Sequence, residues 1–153
     1  MPSLLLGLAV VSTGLYAGFM LIFMSGIMPA LRKLTDQQFV AAMCRINEEV
    51  PRGVFGLCFL ALVVFPAVAL AVPVDGRSDT QFWLIVAALV CGVLNHLVTI
   101  AGNIPLNTAL ARAEGGDPKA ARAAFEDRWN RIHAVRTLFI VASFGLITAA
   151  TLN

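Results

Sequence analysis

Three residues at the start of the last apolar segment have side chains suited to proton removal from an aromatic ligand. Trp129, His133 and Arg136 follow one another at i, i+4 and i+7, which puts them on one face of a helix. A neutral imidazole is a natural general base near pH 7, and a guanidinium one turn away can stabilise an oxyanion. The indole offers a flat apolar wall to an aromatic ring. The pattern predicts that His133 acts as the base.

A second polar stripe lies in the preceding apolar segment. At 100° per residue its members fall within one narrow sector, with Asn95 beside them: His96, Thr99, Asn103 and Asn107. Because lipid cannot satisfy polar groups, such a stripe faces the bundle interior or a wet cavity. Hydrogen bonding between helices is the simpler interpretation for Asn95 and Thr99. Asn103 and Asn107 flank Pro105, where two carboxamides can bind a ligand oxygen, and we predict that they face His133 and Arg136.

Arg52 and Thr99 are the remaining candidate substrate-binding residues. Arg52 enters the second apolar segment at the depth of the predicted site, directly after Glu48 and Glu49. The alternative for this group is ion pairing among its own members, and for Arg136 it is snorkelling to the headgroups. Both interpretations stay open on the sequence.

The elements that must position these side chains are transmembrane helices. The 153 residues are 59% hydrophobic and only 13% charged, and the mean hydropathy is +0.83. Charged residues are missing from the stretches 4–31, 53–74, 80–111 and 137–153. Because about 20 apolar residues span a bilayer, we predict one all-α membrane domain over 1–153 with spans at about 4–28, 53–74, 82–106 and 133–152. The fold class is a four-helix transmembrane bundle.

The distribution of basic residues predicts the orientation. Of the 11 lysines and arginines, all but Arg77 lie in the connections after the first and third spans. The positive-inside rule therefore places both long connections in the cytoplasm and both termini outside, in a bacterial inner membrane. The expected partners are the lipid bilayer, a small aromatic substrate and O₂, with no nucleic acid, and a homo-oligomer is left open. Cys44, Cys58 and Cys91 do not form a disulfide framework.

The cytoplasmic connections should themselves be helical. Thr35 and Gln38 form a capping box that opens an amphipathic helix, and Pro51 would fall in the first turn of the second span. Asp117 and Pro118 open a helix that can run unbroken into the fourth span. A motif Gly-x-x-Pro closes the first span at Pro29 and the third at Pro105. The two hairpins are therefore compatible with a parallel repeat about the membrane normal.

Metal and haem binding are alternatives that rest on few residues. His96 and His133 are the only two histidines and are the candidate haem or metal ligands. Met20, Met24 and Met28 could offer soft sulfur ligands to copper, although such a stripe is more typical of packing. No His-x-x-x-His or Glu-x-x-His spacing supports a metal. No cofactor is favoured, and haem or copper is the alternative.

Several of these motifs together resemble a known family. Pro29-Ala-Leu, Asn103-Ile-Pro-Leu-Asn107 and Trp129-Asn-x-x-His133-x-x-Arg136-Thr137 are similar to the pattern of the small anthrone-oxygenase-like membrane proteins, a family largely catalogued as a domain of unknown function. The resemblance covers nearly the whole chain and implies the four-span fold. It also implies oxidation of an anthrone to its anthraquinone by O₂. His133 would be the base, Arg136, Asn103 and Asn107 the oxyanion holders, and Trp129 a ring wall.

Three classes of function are compatible with the sequence. The first is this base-assisted oxygenase, an oxidoreductase that needs no cofactor. The second is a membrane redox protein that binds haem or copper. The third is a non-enzymatic accessory or ligand-binding module, in which the polar stripe would serve packing and Arg52 and Arg136 would anchor the helices at the headgroups.

Overall fold

Two helical hairpins, each with a long basic connection, make up the protein. The computed structural model describes residues 2–153, with side-chain environments from Ser3 onward. The elements in order are α1 (Pro2–Ile22), a π-helical turn π1 (Phe23–Ile27), α2 (Met28–Leu31), α3 (Asp36–Glu49), α4 (Val54–Ala71), α5 (Asp79–Val98), a second π-helical turn π2 (Thr99–Asn103), α6 (Ile104–Arg112) and α7 (Pro118–Thr151). Residues 2–153 contain no β-strand, and the predicted all-α fold is confirmed.

Four of these helices are long and apolar enough to cross a membrane. They are Ser3–Leu31, Val54–Ala71, Asp79–Arg112 and Pro118–Thr151. α1 packs against α4 and α7, and α5 packs against the same two helices from the other side. Large apolar side chains, such as Leu57, Trp83 and Leu138, point outward and are more than 60% exposed. An apolar exterior around a packed core is what lipid requires, so the chain is an integral membrane protein.

The end of the bundle that carries α3, α6 and the start of α7 is called the basic end here. The capping box at Thr35 and the N-cap at Asp117 are both present, as predicted from the sequence. Arg122 of α7 donates to the Leu34 carbonyl oxygen at 2.9 Å and to Asp36 Oδ1 at 3.1 Å. These bonds tie the first connection to α7 and close the basic end.

The predicted placement of Pro51 in the second span is wrong. Pro51 was expected in the first helical turn, but α4 begins at Val54, and Pro51 lies in the turn that follows α3. The cause is Gly53, whose φ of 64° is a left-handed conformation that interrupts the helix. As a result Arg52 lies on an exposed corner between α3 and α4.

Both hairpins contain a π-helical turn that ends two residues before a proline. π1 ends at Ile27 ahead of Pro29, and π2 ends at Asn103 ahead of Pro105. A proline lacks the backbone N–H for the bond to residue i−4, and its ring clashes with that carbonyl. A widened turn relieves the conflict without breaking the helix. The shared position of the two turns agrees with the predicted repeat.

Candidate functional site

α7 presents the three predicted residues on one buried face. Trp129 is 2% exposed, His133 1% and Arg136 7%. The helix runs without interruption from Pro118 to Thr151, so the i, i+4, i+7 spacing keeps its helical geometry. Arg136 therefore does not snorkel to the surface but points into the bundle.

His133 has a hydrogen bond at each ring nitrogen. Nε2 lies 3.0 Å from the carbonyl oxygen of Met20, which can only accept. Nδ1 lies 3.1 Å from Nε and 3.0 Å from Nη2 of Arg136, which can only donate. These partners assign the proton to Nε2 and the lone pair to Nδ1. The imidazole is therefore neutral, and neither nitrogen is free to accept a proton from a ligand in this arrangement.

Arg136 is a buried cation without a carboxylate partner. None of the ion pairs within residues 2–153 includes it. Its two bonds to His133 use two of the five guanidinium N–H groups, and its Cζ lies 5.4 Å from the centre of the Trp129 ring. A buried charge without a counter-ion costs several kcal/mol. The remaining N–H groups and the charge are therefore available to an anionic ligand.

Trp129 is held rigidly beside these two residues. Its ring stacks on His133 with centroids 4.7 Å apart and an interplanar angle of 10°, and it also stacks on Phe125 with centroids 5.9 Å apart. Nε1 donates to Asn107 Oδ1 at 2.9 Å. The bond joins α7 to α6 and uses one of the two lone pairs of the Asn107 oxygen, so its second lone pair and its amide nitrogen remain for a ligand.

Asn103 is the most exceptional polar residue of the site. It ends π2, is 1% exposed, and neither its amide nitrogen nor its amide oxygen has a hydrogen-bond partner within residues 2–153. The adjacent Gly102 lets π2 lie close to α7, because a Cβ at this position would be only 2.7 Å from Cγ2 of Ile132 in α7. Buried polar groups are normally paired, so the orphaned carboxamide of Asn103 indicates a site for a ligand or water.

These residues surround a cavity of about 140 Å³ at the basic end. Its polar lining is Asn47, Thr99, Asn103, Asn107 and Arg136. Its apolar lining includes Met20, Phe23, Phe55, Phe59 and Trp129. Two further lining residues, Pro51 and Ile104, are exposed on the protein surface, so the cavity opens between the α3–α4 turn and α6. His133 is not part of the lining and lies behind Arg136 and Trp129.

Asn95 holds the two helices of the site together, whereas Thr99 bonds only within its own helical segment. Asn95 Nδ2 donates to the backbone oxygen of Arg136 at 2.9 Å, a bond from α5 to α7. Thr99 Oγ1 donates to the backbone oxygen of Asn95 at 2.8 Å and also lines the cavity. The geometry of Asn95 therefore matches the simpler of its two interpretations, which is hydrogen bonding between helices.

Tyr16 is a residue of the site that the sequence did not reveal. It is the only tyrosine in the chain, is fully buried in α1, and packs against Phe55 with ring centroids 5.0 Å apart. Its hydroxyl lies close to Arg136 and Thr99 but makes no hydrogen bond within the described residues. A single tyrosine in a charge-free stretch could have been named as a candidate site residue, but the sequence does not show which helix it faces.

Two of the sequence candidates lie away from the cavity. Arg52 is 70% exposed at its side chain and pairs with Glu49 at 2.6 Å, which matches the ion-pairing alternative. His96 is half-buried, stacks on Phe59 at 3.8 Å, and its Nδ1 bonds the Gly92 carbonyl oxygen at 2.9 Å. The structure therefore brings neither side chain to Arg136.

Neither His133 nor the methionine stripe fits the haem and copper alternatives. Iron ligation needs a free imidazole nitrogen, and both nitrogens of His133 are already hydrogen-bonded. The sulfur stripe is also divided, because Met24 is 43% exposed whereas Met20 and Met28 are buried. The widened turn π1 lies between them and changes the i, i+4 register on which the stripe depended.

A comparison with known families gives one match. The family model described as anthrone oxygenase matches residues 49–146, which include every cavity residue from Val50 to Arg136. No curated protein and no solved structure matches the chain. The match covers more than half of the sequence and agrees with the resemblance in the motifs at Asn103, Asn107, Trp129, His133 and Arg136. The chain belongs to the anthrone oxygenase family.

Proposed function

We propose that this protein oxidises an enolisable fused aromatic ketone of the anthrone type to its quinone with O₂, within the membrane and without a cofactor. The observation that carries the proposal is the buried, unpaired guanidinium of Arg136 facing a cavity that also holds the orphaned carboxamide of Asn103. Such a pair is suited to an oxyanion that develops during a reaction. The enolate of an anthrone is an oxyanion of this kind.

The chemistry requires little beyond formation of that enolate. Removal of one proton from the central methylene gives an anion that donates one electron to O₂. The resulting carbon radical and superoxide combine to a peroxide anion, which takes back one proton to give a hydroperoxide, and this loses water to give the second carbonyl. One O₂ is consumed and one water is formed for each quinone, and the methylene carbon undergoes a four-electron oxidation.

We assign the binding of the oxyanion to Arg136 and Asn103, with the Asn107 amide nitrogen as a further donor and Trp129 as the ring wall. His133 was predicted to be the base, and that role stays a prediction. Its geometry favours a positioning role, because Nδ1 holds Arg136 and Nε2 holds the Met20 carbonyl. In our proposal the proton leaves to water that reaches the cavity from the basic end, and Arg136 makes its loss easier by stabilising the anion.

The cavity size and mouth support an apolar substrate that enters from lipid. A cavity of about 150 Å³ is known to hold one benzene ring, so the volume of about 140 Å³ here accommodates one ring of a fused system. The other rings would extend past Pro51 and Ile104 into the bilayer. We further propose that the basic end faces the cytoplasm of a bacterial cell, following the distribution of arginines and lysines.

The proposal is tested with detergent-purified protein and 1,8-dihydroxyanthrone. We expect quinone formation well above the rate in detergent buffer alone, with one O₂ consumed per quinone and no dependence on added haem, flavin or copper. A rate equal to that of buffer would refute the oxygenase proposal. Saturable binding with no turnover would instead support the ligand-binding module.

A further inference from the structure

The cavity offers a hydrogen-bond acceptor that an anion alone cannot use. Among the cavity-lining side chains, the buried atoms without partners are Nδ2 of Asn47 and both amide atoms of Asn103. Arg136 can only donate, and Asn107 Oδ1 already accepts from Trp129. The unpaired acceptor is therefore the amide oxygen of Asn103. This conclusion does not depend on which way the amide is turned, because both of its ends are unpaired.

We infer that Asn103 is a specificity residue that accepts a hydrogen bond from a hydroxyl group adjacent to the ligand's oxyanion. A ligand with an oxyanion and a neighbouring hydroxyl satisfies Arg136 and Asn103 at once. A ligand that lacks the hydroxyl, or carries it as a methyl ether, leaves the Asn103 oxygen buried and unpaired, which is costly. Sites built to bind a substrate hydroxyl discriminate strongly against analogues without one.

The inference depends on the proposed function for the nature of the ligand, but its test by binding does not require turnover. The probes are 1,8-dihydroxyanthrone, its dimethyl ether and unsubstituted anthrone. Their binding to detergent-purified protein is measured anaerobically through the fluorescence of Trp129, which lines the cavity, in a Trp83→Phe background that removes the signal of the exposed Trp83. We expect the dihydroxy compound to bind at least about tenfold more tightly than either analogue.

The matched variants are Asn103→Leu and Thr108→Val. Leucine keeps the shape of asparagine without its hydrogen-bonding atoms, and Thr108 is an exposed α6 residue that bonds only its own helix at the Ile104 oxygen. We expect Asn103→Leu to reduce the preference to less than about threefold, and Thr108→Val to retain it. Comparing the ratio in each protein cancels the intrinsic difference in acidity between the probes.

The outcomes separate this inference from the proposed function. Turnover of all three probes with no preference in wild-type binding would overturn the role of Asn103 and leave the oxygenase intact. A preference that depends on Asn103, without any turnover, would support the role of Asn103 and refute the oxygenase. A preference that persists fully in Asn103→Leu, with wild-type helicity and thermal stability, would assign the hydroxyl to another residue and overturn the inference.

Discussion

Replacing Arg136 with methionine is expected to lower turnover of 1,8-dihydroxyanthrone by about a hundredfold or more, while the protein stays at least as stable as the wild type. Loss of one oxyanion donor commonly costs 10²–10³ in rate, and Arg136 supplies both donors and charge. Among residues 2–153 no other cationic side chain lines the cavity to replace it.

The expected stability follows from the missing counter-ion. A guanidinium that is 7% exposed and has no carboxylate partner within residues 2–153 destabilises the fold by several kcal/mol. Methionine removes that charge and fills similar space. It also leaves Nδ1 of His133 without a hydrogen-bond donor, at a cost of about 1–3 kcal/mol. Removal of the buried charge stabilises the fold by more than the lost hydrogen bond destabilises it.

Thermal unfolding in detergent and oxygen uptake together check this prediction. Arg131→Met is the control, because Arg131 is an exposed residue on the same helix and does not line the cavity. It should leave both rate and stability near wild type. A variant at Arg136 that unfolds more easily yet turns over normally would show that the guanidinium serves structure alone.

Two substitutions of His133 should have different effects. Asparagine places an amide oxygen near the position of Nδ1 and can still accept from Arg136, but it has no basic nitrogen. We expect His133→Asn to keep turnover within about tenfold of wild type. His133→Phe preserves the stacking on Trp129 and removes the acceptor, so Arg136 loses its support, and we expect a loss of about a hundredfold or more.

Steady-state turnover and its pH profile distinguish the two roles. A general base contributes about 10²–10⁴-fold, so equal and large losses in both variants would restore His133 as the base. Loss of the ascending limb of the pH profile in His133→Asn would also support His133 as the base. An unchanged profile with retained rate supports positioning.

Local sequence rules predicted most of the fold. The charge-free stretches located the four spans, and the caps at Thr35 and Asp117 were read correctly because capping depends on residues within one turn. The shared face of Trp129, His133 and Arg136 follows from helical periodicity alone. Pro51 was misplaced because the left-handed conformation of Gly53 depends on how the α3–α4 corner closes.

The functional details depended on contacts between helices, which a single sequence does not show. The partner of His133 Nε2 is a backbone oxygen at Met20, 113 residues away, and no side chain marks it. The proximity of Tyr16 in α1 to Arg136 in α7 is likewise a contact between helices that the sequence does not show. The geometry therefore moved the emphasis from His133 to Arg136 and Asn103, although the sequence had named all three.

The most direct test of the account is the absorption spectrum of 1,8-dihydroxyanthrone bound to the protein under argon. The pH is set so that the free compound is neutral. If Arg136 and Asn103 form an oxyanion site, the spectrum of the anion appears in proportion to added protein and is lost in Arg136→Met. Binding that leaves the ligand with its neutral spectrum in the wild-type protein would contradict the account.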